Sequence, residues 1–364
     1  MMSFYICDEL LEDIFKILPS KTLLRFKYLS KYWCSRISSP DFILKQTTFQ
    51  SARNYQNILI QHRTYHSENF YTVHYQSPLN SQYGNYGTRP MKFPKGCYIV
   101  GSCNGIICLR YFSTRDVSLW NPSIRRKLDL PFHDYFRQNC NFVGFGFDSN
   151  TDDYKIVGLF YVEYGEPHKS MVYSLKKRVW CEISLPSTRI MCVKSPACFV
   201  NGALHWVFVS YLSNAFILRF DLSTHVFSEI MLPEELNYRE HIVCPIIFNG
   251  SLGMSVSNSC CTKIWVMKED NNNRSWYMVL TLEDLQSKGG VRAVIQLKNG
   301  NMLIRNDKNV FEVGYPGAVC SEVCVPVYPA AQMFGMVMYV ESLALLDIGT
   351  VCINADQPYF TRQQ

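Results

Sequence analysis

Apolar and polar positions follow two different rhythms along this chain, and the rhythm changes near residue 52. Before it, Leu10, Leu11, Ile14, Phe15 and Leu18 recur at i, i+1, i+4, i+5 and i+8, the stripe of an amphipathic helix. Asp8, Glu9, Glu12 and Asp13 load its early turns, where negative charge suits the positive end of the helix dipole. Pro19 ends that helix. Ser20 is a candidate N-cap for a second helix carrying Leu23, Leu24 and Phe26, and Ser30 for a third carrying Trp33 and Ile37. Ser39-Pro40 reads as N-cap and first residue of a fourth, short helix with Phe42 and Ile43. Three or four such helices are too few to bury this much apolar surface among themselves. The cluster either caps the rest of the chain or docks a partner.

Beyond residue 52 the period shortens to that of β-strands, and helix signals vanish except for "LEDLQS" at 282 to 287. A unit of apolar run, tight turn and apolar run recurs, with turns at Asn104-Gly105, Asp153, Asn201-Gly202, Asn249-Gly250 and Asn299-Gly300. The spacings are 49, 48, 48 and 50 residues. Asn-Gly suits a type I′ hairpin, which needs positive φ at both central residues. A second aromatic landmark trails each turn, at Trp120, Tyr173, Phe220, Trp265 and Phe311. Four strands in about 48 residues is the arithmetic of a β-propeller blade. One period back from Asn104 lies Asn57 in "NILIQH", and one forward from Asn299 lies "ESLALLDIG" at 341 to 349. These two ends can share a blade and close a ring of six. The expected fold is a small all-α unit of three to four helices followed by an all-β, six-bladed propeller.

Charge and cysteine content narrow the function. The net charge is +6 and charged residues make up 18% of the chain, with basic residues clustered only briefly, as in Arg125-Arg126-Lys127 and Lys176-Lys177-Arg178. No nucleic-acid partner is expected. No signal peptide or run of eighteen apolar residues is present, so no membrane association is expected and the chain is placed in cytoplasm or nucleus. The 15 cysteines then read as reduced, mostly buried thiols, and none falls in a paired zinc-binding spacing. The sequons at Asn249 and Asn273 meet no glycosylation machinery there.

Candidate chemistry is thin. Asp152-Asp153 falls in a turn, where paired carboxylates are solvated. His62 and His66 have ligand-like spacing only on a helix, and their surroundings favour strand. His205 beside Trp206 reads as a hydrogen-bonded strand residue, and "VGFGFD" at 143 to 148 as alternating strand and no phosphate loop. No catalytic residue, metal or cofactor is expected.

Two resemblances add to this reading. The run "DELLEDIFKILPSKTLLRFKYLSKYWCSRISSPDFI" closely resembles an F-box, matching in Leu18-Pro19, Lys21, Leu23-Leu24-Arg25-Phe26, Lys31, Trp33 and Ile37-Ser38-Ser39-Pro40. The resemblance implies docking on a Skp-type adaptor and through it on a cullin. The implied contacts are Ile6, Leu10, Leu11, Leu18, Pro19, Leu23 and Leu24, with Trp33 and Ile37 closing the module's own core. Ile6-Cys7 stands where the family has Leu-Pro, which removes a pre-organising proline. Segments such as "GSCNGIICL", "LWNPSIRRKLDLP" and "FGFDSNTDDYKIV" resemble the kelch-like F-box-associated domain of plant F-box proteins, including the S-locus group.

Residues 1–48 are thus expected to form the F-box and 53–352 the propeller. The implied role is substrate recognition in a cullin-based ubiquitin ligase; a scaffold acting outside a ligase is the alternative. Strand connections alternate between the two faces of a propeller. The longer, aromatic-rich loops at 132–139, 162–170, 210–215 and 235–241 therefore share one face. On it Tyr135, Phe136, Arg137, Tyr164, Tyr211, Tyr238 and Arg239 are the candidate contacts to a protein client.

Overall fold

The structure, a computed structural model, describes residues 7–52, 57–64, 69–76, 86–91, 96–131, 133–160, 169–184, 190–193, 195–210, 215–233, 242–258, 261–270, 273–282, 291, 293–297, 300–306, 310–314, 320–323, 331–346 and 351–352. Four helices open it: α1 (Asp8–Ile17), α2 (Ser20–Phe26), α3 (Lys31–Ile37) and α4 (Pro40–Ala52). Ser30 caps α3, its hydroxyl accepting the Trp33 N–H at 3.1 Å, and Ser39 does the same for the Phe42 N–H at 3.3 Å. Ser20 does not cap α2. Pro19 holds the N-cap place, and the Ser20 hydroxyl is buried, accepting from the Gln46 amide at 3.4 Å. The fourth helix has 13 residues, longer than its sequence signals suggest.

The remainder is a ring of six antiparallel sheets. Blade 1 holds β1 (Asn57–Thr64), β2 (Asn69–Gln76) and β3 (Tyr86–Met91). Blade 2 holds β4 (Cys97–Cys103), β5 (Ile106–Tyr111), β6 (Val117–Asn121) and β7 (Arg126–Asp129). A short helix, α5 (Asp134–Asn139), leads into blade 3: β8 (Cys140–Asp148), β9 (Asp153–Phe160), β10 (Lys169–Ser174) and β11 (Val179–Ser184). Blade 4 holds β12 (Ile190–Val193), β13 (Cys198–Val200), β14 (Ala203–Ser210), β15 (Ala215–Asp221) and β16 (Phe227–Met231). Blade 5 holds β17 (Ile242–Phe248), β18 (Ser251–Ser257), β19 (Thr262–Asp270) and β20 (Asn273–Leu282). Blade 6 holds β21 (Ala293–Gln296), β22 (Met302–Arg305), β23 (Val310–Val313) and β24 (Cys320–Val323). The chain then returns. β25 (Ala331–Tyr339) pairs with β1 and completes blade 1, while β26 (Val351–Cys352) adds an edge strand to β7.

Alternation along each strand explains why six sheets make one body. Ile58 and Ile60 of β1 join the cluster shared with blade 6, whereas Leu59 between them joins the cluster shared with blade 2. In the same way Ile156 and Phe160 of β9 face blade 2, and Val157 and Leu159 face blade 4. Successive side chains point to opposite faces of a strand, so a strand buried on both faces reads as a continuous apolar run. Six such inter-blade clusters close the ring.

Turn chemistry sets the blade period. Asn104 (φ 49°) with Gly105 (φ 76°), Asn201 (49°) with Gly202 (72°) and Asn249 (47°) with Gly250 (75°) are the type I′ pairs. In blade 3 the left-handed residue is Asp152 (φ 51°), one position before the Asp153 that the sequence pattern suggests. Ring closure uses both chain ends, but the closing strand is β25, with Asn57 opposite Tyr339. The segment at 341–346 expected to supply that strand is not one. Its apolar residues instead pack between the helices and the propeller, as described below. In blade 4 the inner strand is broken into β12 and β13, both paired to β14. Ser195 in the gap accepts the Val207 N–H at 3.0 Å in place of a ladder bond. The expected helical segment at 283–287 lies outside the described residues.

Candidate functional site

Helix α1 carries two apolar stripes. Phe15 and Leu18 turn inward, Phe15 buried with its ring 4.6 Å from Trp33 and 5.1 Å from Phe26, and Leu11 is partly buried. Leu10, Ile14 and Ile17, at i, i+4 and i+7, stay 51%, 41% and 40% exposed. On the turn after α2, Tyr28 and Leu29 are 92% and 64% exposed, and Tyr32 on α3 is 51% exposed. Soluble surfaces rarely leave this many large apolar side chains open on one small unit.

The residues proposed from sequence as partner contacts divide accordingly. Leu10 and Pro19 are exposed, Leu11 is partly buried, and Leu18 and Leu24 are partly buried at the edge of the helical core. Leu23 is a correction: it is fully buried between Phe15, Ile37 and Phe42 and has no surface to offer. Ile6 lies outside the described residues. Ile14, Ile17, Tyr28 and Leu29, which the resemblance does not name as contacts, also belong to the exposed surface. The inward and outward stripes of α1 are both apolar, and the packing of the other helices on one side tells them apart. The signal for Tyr28-Leu29 was present as an apolar pair in a turn.

Ion pairs hold the helices in register. Glu12 accepts two bonds from Arg36, at 2.6 and 2.8 Å, and its second oxygen lies 3.4 Å from Lys45. The Asp8 carboxylate beside the Tyr32 hydroxyl pushes its pKa up. Gln50 on α4 donates to the carbonyls of Lys16, Ile17 and Leu18, covering the open end of α1.

The inner side of this unit rests on the propeller. Residues 340–346 form a wedge between the two. Leu343 and Leu346, with Ile124 from the β6–β7 turn, join the helical core, while Ala344 and Leu345 join the cluster of blades 2 and 3. Asn121 fixes the wedge: its amide donates to the Ser342 carbonyl (3.0 Å), the Ser342 hydroxyl (3.1 Å) and the Ala344 carbonyl (2.8 Å). The Asn121 side-chain oxygen accepts the Ser123 N–H at 2.9 Å, and Ser123 in turn bonds Tyr339. Gly105 faces the wedge at positive φ, and a Cβ there would overlap Ser342 and the Val340 carbonyl. The tight-turn face of blades 1 and 2 thus seats the helices.

The opposite face carries the connections between blades. There the segment at 134–139 is helix α5, capped by His133, where the sequence suggests a loop. Phe136 is a correction: it is 4% exposed, packed 4.4 Å from the Trp180 ring in space left open by Gly158. Tyr135 is 37% exposed beside Phe160, and Arg137 is partly buried, its Nε donating to the Thr114 carbonyl at 2.6 Å. Tyr164, Tyr211, Tyr238 and Arg239 lie outside the described residues. A central channel of about 910 Å³ runs between the inner strands, lined mainly by apolar residues such as Val143, Pro196, Ile246 and Met336.

Several further titratable groups among the described residues are tied into the framework. Asp153 is buried, accepting from the Ser174 hydroxyl at 2.5 Å and the Lys176 N–H at 2.8 Å; the turn reading holds for its neighbour Asp152, which is exposed. His62 is buried on β1 with Nε2 2.8 Å from the Thr72 hydroxyl; His66 lies outside the described residues. His205 is buried 3.3 Å from the Cys198 carbonyl, and burial, with Arg219 and Arg274 nearby, holds its pKa down at about 4. Burial pushes the thiols of Cys97, Cys103, Cys140 and Cys198 up to about 12, so they stay protonated at neutral pH.

Comparison with known proteins agrees with this division. Residues 5–45 match the F-box domain, and residues 58–340 match the F-box associated beta propeller domain. An F-box/kelch-repeat protein of Arabidopsis thaliana is 28% identical over 294 residues, spanning 76% of this chain and 79% of that protein. The F-box protein CPR1 of Arabidopsis thaliana is 29% identical over 310 residues, spanning 77% and 73%. Among solved structures, TolB of Acinetobacter baumannii is similar at a TM-score of 0.45 and 10% identity, over 83% of this chain and 69% of that one.

Proposed function

The chain belongs to the F-box proteins that carry an F-box-associated β-propeller, and from that membership we propose that it is the substrate-recognition subunit of a cullin-based ubiquitin ligase. The observation that carries this reading is the two-sided F-box. Its inner side is occupied by Ile124, Leu343 and Leu346 of its own chain, while Leu10, Ile14 and Ile17 remain open on the outer side. Covering the exposed parts of these three side chains is worth roughly 1 kcal/mol each, enough with Tyr28 and Leu29 for a specific protein contact. The Skp-type adaptor is the partner this surface suits. The propeller face that bears the connections between blades points away from the F-box, and it is the proposed seat of the protein client.

The mechanism is proximity. The chain holds a client at high effective concentration near a ubiquitin-charged enzyme brought by the cullin, and performs no bond chemistry itself. Boundaries of 1–48 for the docking module and 53–352 for the client-binding ring follow from the same reading. The test is affinity purification of the full chain from plant cells with the proteasome blocked. Adaptor and cullin should co-purify with a set of ubiquitinated proteins; recovery of clients without adaptor or cullin would place the chain outside a ligase.

A further inference from the structure

Two short basic runs, Arg125-Arg126-Lys127 and Lys176-Lys177-Arg178, are far apart in the sequence. The propeller brings them onto neighbouring blades. Each lies at the turn between the third and fourth strands of its blade, β6–β7 in blade 2 and β10–β11 in blade 3, and these blades share one core cluster. Arg125, Lys176, Lys177 and Arg178 are exposed. Arg125 (φ 53°) and Arg178 (φ 56°) both stand in the left-handed region, where glycine or asparagine is the less strained choice. Of the nearby acids, Asp148 is engaged by Lys155, Asp153 by Ser174 and Asp129 by Lys127, which leaves Asp152 exposed beside the four cations.

Both turns border the seat of the F-box. Ile124, just before Arg125, packs into the F-box core, and Leu175, just before Lys176, belongs to the cluster that holds Ala344 and Leu345 of the wedge. We propose that the two turns form a cationic platform beside the F-box that receives an acidic segment of the protein docking on helix α1. This rests on the adaptor-docking reading above. The platform lies on the F-box's side of the ring, so a partner seated on the outer stripe of α1 would reach it by extending past the helices. Nucleic acid suits it poorly. The platform offers four cations with no aromatic side chain among them on which a base could stack, and the whole chain carries only +6.

A charge platform beside an apolar contact acts mainly on the rate of encounter. The test measures association and dissociation of the full chain with a purified Skp-type adaptor at about 50 and about 200 mM salt, where screening differs twofold in length. Arg125→Glu/Lys177→Glu/Arg178→Glu should lower the association rate about tenfold at low salt and flatten its salt dependence, with little change in dissociation. The corresponding glutamine variant should fall between, with unchanged thermal unfolding showing that both remain folded. Equal rates and equal salt slopes for the reversed and native chains would overturn the platform while leaving docking intact. Failure of the native chain to bind the adaptor would remove the docking reading and the platform with it. Loss of polyuridine binding in the reversed variant, with adaptor kinetics unchanged, would assign the face to nucleic acid and overturn the proposal.

Discussion

Replacing Asn121 by leucine removes the clamp on the wedge while keeping nearly the same shape. Asn121 is fully buried, and its amide nitrogen is the donor to the carbonyls of Ser342 and Ala344, at 3.0 and 2.8 Å. Its oxygen is an acceptor for the Ser123 N–H. A leucine leaves these backbone groups without that partner in a site closed to water, at about 1–3 kcal/mol each when no substitute is found. Partial rearrangement reduces the sum, and about 3–5 kcal/mol is the expected loss. The cost should be local. Residues 340–346 and the helices seated on them should open first, since the six inter-blade clusters do not involve the Asn121 side chain. Native-state hydrogen exchange is the assay: amides of 342–346 and of α4 should lose protection by two or more orders of magnitude, while those of β9 and β15 should not. Asn121→Asp should be worse, because it sets a carboxylate oxygen against two carbonyl oxygens. Protection of the wedge within a factor of about five of native would show that Asn121 does not hold it.

Four further outcomes follow from the same contacts. Phe136→Ala should destabilise blade 3 by about 3–4 kcal/mol in urea unfolding, whereas the exposed Tyr135→Ala should leave stability nearly unchanged and reduce client recovery instead. Lys155→Met should cost about 3–5 kcal/mol, because it strands the buried Asp148 carboxylate, which Lys155 contacts at 2.8 Å, and removes the 2.6 Å bond to the Leu222 carbonyl; a loss below about 1 kcal/mol would contradict this. His205, with its pKa held down at about 4, binds fewer protons folded than unfolded between that value and about 6.5. Stability should therefore be full above about pH 6.5 and fall as pH drops toward 4, by about 2 kcal/mol between pH 7 and 5 from this residue, and His205→Gln should remove that slope. Paired charge substitution of Leu10 and Ile14 is the fourth, taken up last.

Much of the ring was legible because every blade repeats one local solution. Positive φ at a hairpin demands Asn-Gly or a near equivalent, so the turns at 104, 201 and 249 mark the period without reference to anything distant. The F-box helices were legible for the same reason, through Ser30, Ser39-Pro40 and the α1 stripe. What stayed hidden was decided by remote partners. "ESLALL" has the composition of a strand, and only Asn121, more than 200 residues earlier, makes it a wedge. Phe136 looks like a solvent-facing loop aromatic until Gly158 opens a socket beneath it. Ile14 and Phe15 are apolar neighbours on α1, yet one is exposed and the other is buried against Phe26 and Trp33, because the other helices pack on one side of α1.

The central claim is that the outer stripe of α1 is a docking surface whose loss leaves the fold untouched. Titration calorimetry of a purified Skp-type adaptor into the full chain, native and Leu10→Asp/Ile14→Asp, tests it most directly when paired with thermal unfolding of both chains. The account predicts adaptor affinity at least about thirtyfold weaker, from roughly 2 kcal/mol of lost apolar contact, with an unchanged melting temperature. Equal affinity for the two chains would contradict it.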